Sequence, residues 1–136
     1  MTAAAACPCG RTDARGRPRA LAQCCGPHIA GQPAPDAEAL MRSRYTAYVL
    51  GDAAYLRATW DPDTCPADVM PDPATKWLGL EVREHRPLDA DHAEVEFVAR
   101  YRVQGRGGRL HERSRFRRDA QGRWLYVDGT FPRGGP

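Results

Sequence analysis

The chain has 136 residues, of which 42% are hydrophobic and 27% charged, and its formal net charge is +3. These values are typical of a soluble globular protein with one domain and a small appendage. No apolar run approaches the roughly 20 residues that cross a bilayer, which excludes a membrane-spanning helix. The alanine run at Ala3–Ala6 lacks the basic flank of a signal peptide, so we expect a cytoplasmic location.

Cysteines are concentrated at the start of the chain, at Cys7, Cys9, Cys24 and Cys25. In a reducing compartment, clustered cysteines favour metal binding over disulfides. Four thiolates complete a tetrahedral zinc site, and a segment with few apolar side chains needs such a metal to fold. The CxC and CC spacings leave free thiols or a redox pair as alternatives. His28 is a possible substitute for Cys24 or Cys25 as a ligand.

Two helices are predicted after a linker with the sequence GQPAP. The first helix begins after its N-cap Asp36 and ends at Gly51, while the second is capped by Asp52 and ends near Trp60. Prolines interrupt the next segment, DPDTCPADVMPDP, which indicates a loop. Its cysteine, Cys65, is expected to be a spare reduced thiol.

The hydrophobic period changes to two from Lys76 onward, which predicts strands. We place them at about residues 76–86, 92–104, 109–119 and 123–131, joined by LDAD, QGRGG and DAQG. In the second strand, Val95, Phe97 and Tyr101 share one face, and charged residues occupy the other. Helices followed by an antiparallel meander predict an α+β fold with the helices on one face of the sheet.

Several blocks of the sequence resemble known families. CPCG followed by CCGP resembles the SEC-C motif, a short zinc module also found at the C-terminus of SecA. PDAEALMRSRYTAYVLGDAAYLRATW, WLGLEV, FVARY, HERSRF and WLYVDGT resemble, in that order, the YchJ family. The resemblance implies a SEC-C-like zinc motif at residues 1–31. It also implies a cone-shaped α+β domain of the nuclear-transport-factor-two-like type, with helices packed on a curved antiparallel sheet, at residues 36–131.

The same resemblance carries Zn²⁺ and its four ligands onto the early cysteines. The loop GRTDARGRPRALAQ is longer than the compact SEC-C spacing, and PRGGP at the end of the sequence holds no second motif. The family implies no established biochemical activity. Because the similar SecA module contacts the SecB chaperone and the ribosome, we expect a non-enzymatic binding or adaptor protein whose zinc motif meets a protein partner.

A cavity in the cone is the alternative site. Glu112 shares the inward parity of Phe116, and a buried carboxylate is costly unless it is paired. We therefore expect a buried Arg44–Glu112 ion pair that joins helix and sheet. Alternatively, these groups form the polar floor of a small-molecule site or of an acid–base enzyme. The candidate cavity residues are Arg44, Tyr45, Tyr48, Trp77, Tyr101 and Glu112, with Trp124 as a further stacking wall.

Catalytic and nucleic-acid signals are sparse. The chain holds no GxSxG, HExxH, P-loop or GxGxxG motif, so no catalytic residue is assigned and enzymatic activity is not expected. Arginines line the predicted outer face of strands two and three. We expect Glu94 and Glu96 to pair with some of them, with RNA binding as a further alternative that lacks interleaved aromatic residues. The exposed sheet face could support a dimer.

Overall fold

The computed structural model describes residues 5–132. Residues 1–4, where the alanine run and the predicted motif at 1–31 begin, and residues 133–136 lie outside this part. A 3₁₀ turn (Leu21–Gln23) precedes helices α1 (Cys25–Ile29), α2 (Ala37–Leu50) and α3 (Ala53–Ala58) and strands β1 (Thr75–Asp89), β2 (His92–Val103), β3 (Arg106–Arg118) and β4 (Trp124–Thr130).

The helix boundaries follow the predicted caps. The Asp36 side chain accepts from the Ala39 amide at 2.8 Å, and the Asp52 side chain accepts from the Tyr55 amide at 3.0 Å. Gly51 closes α2 with φ 74°, a left-handed conformation that glycine adopts without steric cost. Helix α3 ends at Ala58, slightly before the predicted end near Trp60.

The four strands form one antiparallel sheet in the order β1-β2-β3-β4. The β2–β3 connection is shorter than predicted, because Val103 pairs directly with Arg106 and only Gln104 and Gly105 form the turn. Both have positive φ, 51° and 79°, the signature of a type I′ hairpin. Pro87 lies inside β1, where it is tolerated because β1 is an edge strand.

The core lies between α2 and the inner face of the sheet. Leu40 and Tyr45 of α2 pack in one cluster with Val95 and Phe97 of β2 and Phe116 of β3. This confirms the α+β prediction and the predicted facing of β2 and β3. None of the helices in residues 5–132 combines the length and apolar character needed to cross a bilayer.

The cysteine segment packs onto the same core rather than standing apart. Cys7, Cys9 and Cys25 belong to the cluster that contains Leu40 and Tyr45. Between the two cysteine pairs, residues 11–19 fold back as a small hairpin, with isolated bridges Ala6–Ala20 and Thr12–Pro18. The N-terminal segment therefore shares buried surface with α2, although its backbone lies outside the four-stranded sheet.

Candidate metal centre and ligand cavity

Four sulfur atoms converge at one point beside α2. The Sγ atoms of Cys7, Cys9, Cys24 and Cys25 all lie within 4.8 Å of one another. Cys7, Cys9 and Cys25 are buried, whereas Cys24 is half-buried. His28 is engaged elsewhere, since its Nδ1 lies 3.0 Å from the Gln32 carbonyl oxygen. The structure thus brings together the predicted four-cysteine set and not a set that includes the histidine.

Local backbone geometry places each pair of sulfurs. The Gly10 amide donates to the Cys7 carbonyl at 3.2 Å, and this turn, with φ 77° at Gly10, brings Cys7 and Cys9 side by side. Cys25 is the first residue of α1. At Gly26 an added Cβ would lie 2.7 Å from the Leu21 carbonyl oxygen, so only glycine allows α1 to sit this close to the 3₁₀ turn.

Polar groups around the sulfurs favour negative charge on them. The Arg11 amide donates to Cys9 Sγ at 3.5 Å, and Thr46 Oγ1 lies 3.6 Å from Cys7 Sγ. The Arg42 guanidinium donates to the Cys9 carbonyl oxygen at 3.0 Å, which places a cation close to the cluster. These groups can therefore offset part of the negative charge on the sulfurs.

Protonation within the cluster is unequal because the sulfurs share a small volume. Hydrogen bonds from Cys25 and Cys9 lower the pKa of Cys7. Contacts with Cys7 and Cys9, together with burial, raise the pKa of Cys25, and burial with the nearby Cys9 raises the pKa of Cys24 to about 11. Four thiolates this close repel each other, so full ionisation requires a cation at the centre. The donor set and its spacing fit a metal ion.

A second site is a cavity of about 210 Å³ between α2 and the sheet. Five of the six predicted cavity residues line it: Arg44, Tyr45, Tyr48, Trp77 and Glu112. Tyr101 does not, because its ring covers Gly108, where an added Cβ would lie 2.5 Å from Tyr101 Cζ, and packs against Trp77 at 5.7 Å between centroids. Trp124 lines a different groove, beside Ile29 and Leu40.

The predicted Arg44–Glu112 ion pair is wrong as a direct contact. Arg44 Nη1 donates to the Leu56 carbonyl at 2.8 Å and to Thr59 Oγ1 at 2.7 Å. The Leu56 carbonyl lies in the last turn of α3, where backbone carbonyls carry partial negative charge, so the guanidinium binds the end of this helix instead of the carboxylate on the sheet. Glu112 Oε2 instead accepts from Ser114 Oγ and from the Tyr126 hydroxyl, each at 2.8 Å.

Two aromatic residues of the cavity were missed from the sequence. The Arg44 guanidinium carbon lies 5.0 Å from the Trp60 ring and 4.7 Å from the Tyr126 ring. Burial and the neighbouring Glu112 raise the pKa of Tyr126, so its hydroxyl stays protonated and donates. For Tyr126 the WLYVDGT strand was the available signal, but a bulge opposite Arg115 and Phe116 determines which of its residues face inward.

The arginines of the outer face are largely paired with carboxylates. Arg113 contacts Glu84, Glu94 and Glu96 at 2.6, 3.0 and 2.6 Å. The further pairs are Arg115–Asp128, Arg117–Asp61 and Arg118–Asp91. The expected pairing with Glu94 and Glu96 is confirmed.

Taken together, the helices on a four-stranded antiparallel sheet and the clustered cysteines define a nuclear-transport-factor-two-like domain preceded by a segment that fits a zinc knuckle. Residues 36–129 match the family model described as YchJ, middle NTF2-like domain. The chain belongs to the YchJ family. It is 61% identical over 129 residues to a UPF0225 protein of Polaromonas sp., with 92% of both chains covered. It is 59% identical over 139 residues to a UPF0225 protein of Ralstonia nicotianae, covering 93% of this chain and 92% of the relative.

Two solved structures share the fold and the motif. A SEC-C motif containing protein from Rhodopseudomonas palustris, solved in solution, has a TM-score of 0.80 and 37% identity, covering 94% of this chain and 99% of the other. A SEC-C motif containing protein from Psychrobacter arcticus, a crystal structure, has a TM-score of 0.78 and 31% identity, covering 96% and 85%. Each match covers more of the chain than the residues 36–129 of the family model.

Proposed function

We propose that the four cysteines bind one zinc ion, and that the chain is a non-enzymatic adaptor that uses the zinc-organised segment to contact a protein partner. The convergence of four sulfurs within 4.8 Å carries the metal assignment. A tetrahedral zinc with sulfur at 2.3 Å has sulfurs about 3.8 Å apart. Cys9 and Cys24 lie at 3.6 Å, close to this edge length. A reducing cytoplasm suits this role because it keeps the thiols available.

The zinc is assigned a structural role. Four protein ligands leave no coordination position for a substrate, which is the arrangement of structural rather than catalytic sites. Besides cysteine and alanine, the partly buried hydrophobic side chains that residues 5–31 pack against the core are Leu21 and Ile29. Zinc binding, at about 10–16 kcal/mol for comparable sites, supplies the folding energy that burial lacks.

Metal analysis of the purified chain tests this assignment. We expect one zinc per chain in the wild type and in Cys65→Ser, which removes the thiol outside the cluster. Cys9→Ser, which replaces a fully buried sulfur, should lose the zinc. A wild type that holds no zinc while all four early thiols react with a thiol reagent in the native state would contradict the proposal.

The surface offered to a partner is the hairpin at residues 11–19. It carries four arginines against one aspartate, and residues 12–18 are exposed. Its backbone is ordered, because Asp13 Oδ1 accepts from the amides of Arg15 at 2.8 Å and Arg17 at 3.1 Å. A rigid basic hairpin is complementary to an acidic surface. Because it is already ordered, it loses little conformational entropy on binding.

The partner test compares two charge reversals of equal size. Arg15→Glu/Arg17→Glu alters the hairpin, and Arg106→Glu/Arg109→Glu alters exposed arginines on the sheet. We expect the wild type and the sheet variant to bind purified SecB or sediment with ribosomes at low salt, and the hairpin variant to bind at least about tenfold more weakly. Equal binding by both variants, or no binding by the wild type to either target, would contradict the adaptor role.

A further inference from the structure

Two opposite charges face the cavity without touching each other. Arg44 is 5% exposed and Glu112 is 8% exposed, and both line the space between α2 and β3. Within residues 5–132 both side chains bond to other groups, and no salt bridge joins them. Keeping two charges in a low-dielectric interior without a direct ion pair is costly, and well-packed apolar groups in their place are often neutral or stabilising.

Each charged group uses only part of its hydrogen-bonding capacity. All hydrogen bonds of the Arg44 side chain within the described residues come from Nη1, which leaves Nε and Nη2 without a partner. Glu112 accepts through Oε2 alone, so its Oε1 is free in the same part of the chain. The cavity is therefore lined by one side chain with unused donors, Arg44, and one with an unused acceptor, Glu112.

Apart from Ser114, the remaining lining residues are apolar or aromatic. Tyr45 and Tyr48 each pack against Trp77 with ring centroids 5.9 Å apart, which holds the three rings in place. Phe97 and Leu110 complete the apolar side. A wall of fixed rings favours a flat ligand, because aromatic faces gain most by parallel or edge contact.

We propose that the cavity binds a small aromatic molecule without net charge, whose polar end accepts from Arg44 and donates to Glu112. A ligand that carries only a carboxylate satisfies Arg44 but meets the like charge of Glu112, and a cationic ligand meets the reverse. A neutral amide-type group offers an acceptor and a donor together and so satisfies both. The volume of about 210 Å³ exceeds the roughly 150 Å³ that holds a benzene ring and leaves room for such a group.

Three ligands that share one shape but differ in charge test the proposal. Benzoate, benzamide and benzamidine have the same size and carry a negative, zero and positive charge. In NMR titrations of the zinc-loaded full chain, we expect benzamide to bind with a dissociation constant near about 1 mM, at least tenfold tighter than the other two. Tighter binding of benzoate or benzamidine, or no shift with any ligand at about 10 mM, would overturn it.

Two variants test whether charge in the cavity sets the preference for a neutral ligand. Glu112→Gln keeps an oxygen that accepts from Ser114 and Tyr126 but removes the negative charge, so benzoate should gain at least fivefold relative to benzamide. Glu81→Gln makes the same change at an exposed residue and should leave all three affinities unchanged. An unaltered ranking in Glu112→Gln contradicts the assignment.

A blocking variant covers the case in which Glu112→Gln does not fold. Leu110 is half-buried and lines the cavity, so the larger side chain of Leu110→Trp can occupy the cavity without disturbing the packed core. It should abolish benzamide binding while the zinc content stays at one per chain. Benzamide binding that survives Leu110→Trp places the ligand elsewhere and overturns the proposal, whatever the outcome for the zinc site.

Discussion

Asp61 connects the loop after α3 to the sheet. Its side chain is 6% exposed and accepts from the Arg117 guanidinium at 2.6 Å, while its amide donates to the Tyr126 carbonyl at 2.8 Å. The Arg117 hydrogen bond, followed by the Asp63 amide, lowers the pKa of Asp61. The ionised carboxylate is thus a structural element at neutral pH.

We predict that Asp61→Asn lowers the free energy of unfolding by about 1–3 kcal/mol at pH 7, because a charge-assisted bond becomes a weaker one. Since the folded-state pKa lies below the unfolded value, the contribution is present above about pH 4 and is lost as pH falls through the folded pKa. Urea unfolding as a function of pH measures this.

The neighbouring Asp63→Asn is the matched control, because Asp63 is exposed. It should change the stability at pH 7 by less than about 0.5 kcal/mol. If the difference between wild type and Asp61→Asn persists unchanged at pH 2, the ion pair is not its cause.

At the scale of the strand pair, Gly129 of β4 lies directly against the side chain of Glu112 of β3. An added Cβ there would lie 2.6 Å from Glu112 Cδ and 2.8 Å from its Cγ. Gly129 pairs with Ser114, which itself donates to Glu112. The glycine therefore makes room for the buried carboxylate on the neighbouring strand.

We predict that Gly129→Ala lowers stability by about 1–3 kcal/mol, since the methyl group forces Glu112 out of its place. Gly79→Ala is the control in β1, where an added Cβ meets nothing within 4 Å. It should be neutral or stabilising by up to about 1 kcal/mol. Thermal unfolding of both variants measures these changes in stability. Equal losses of stability would contradict the close contact between Gly129 and Glu112.

At the scale of the whole molecule, the cysteine segment and the domain share a core. Cys7, Cys9 and Cys25 pack in the same cluster as Leu40 and Phe97. A metal that orders the cysteines consequently also fixes one side of α2. The zinc proposal then predicts a cooperative response of the entire chain rather than local fraying.

We expect a zinc chelator to lower the melting temperature of the sheet, together with that of the cysteine segment, by more than about 5 °C, which for this size corresponds to 1–2 kcal/mol. Circular dichroism and amide exchange of β2 and β3 report on the sheet. Cys65→Ser should respond as the wild type does. Loss of protection confined to residues 5–31, with an unchanged sheet transition, would contradict the coupling.

Local patterns in the sequence determined the structural features that depend on residues close together in the chain. Asp36, Asp52 and Gly51 marked the helix ends because capping is a contact over three or four residues. The alternation in β2 predicted its buried face because successive strand residues point to opposite sides. The cysteine spacing and its SEC-C resemblance predicted the four sulfurs that converge.

Tertiary structure decided what depended on competition between distant partners. Arg44 donates to the Leu56 carbonyl and the Thr59 hydroxyl rather than to the carboxylate on the sheet. Glu112 instead accepts from the hydroxyls of Ser114 and Tyr126. The bulge in β4 and the packing of Tyr101 over Gly108 decided which rings line the cavity. A hydrogen bond forms with whichever group the fold brings into range, and that geometry is absent from a one-dimensional pattern.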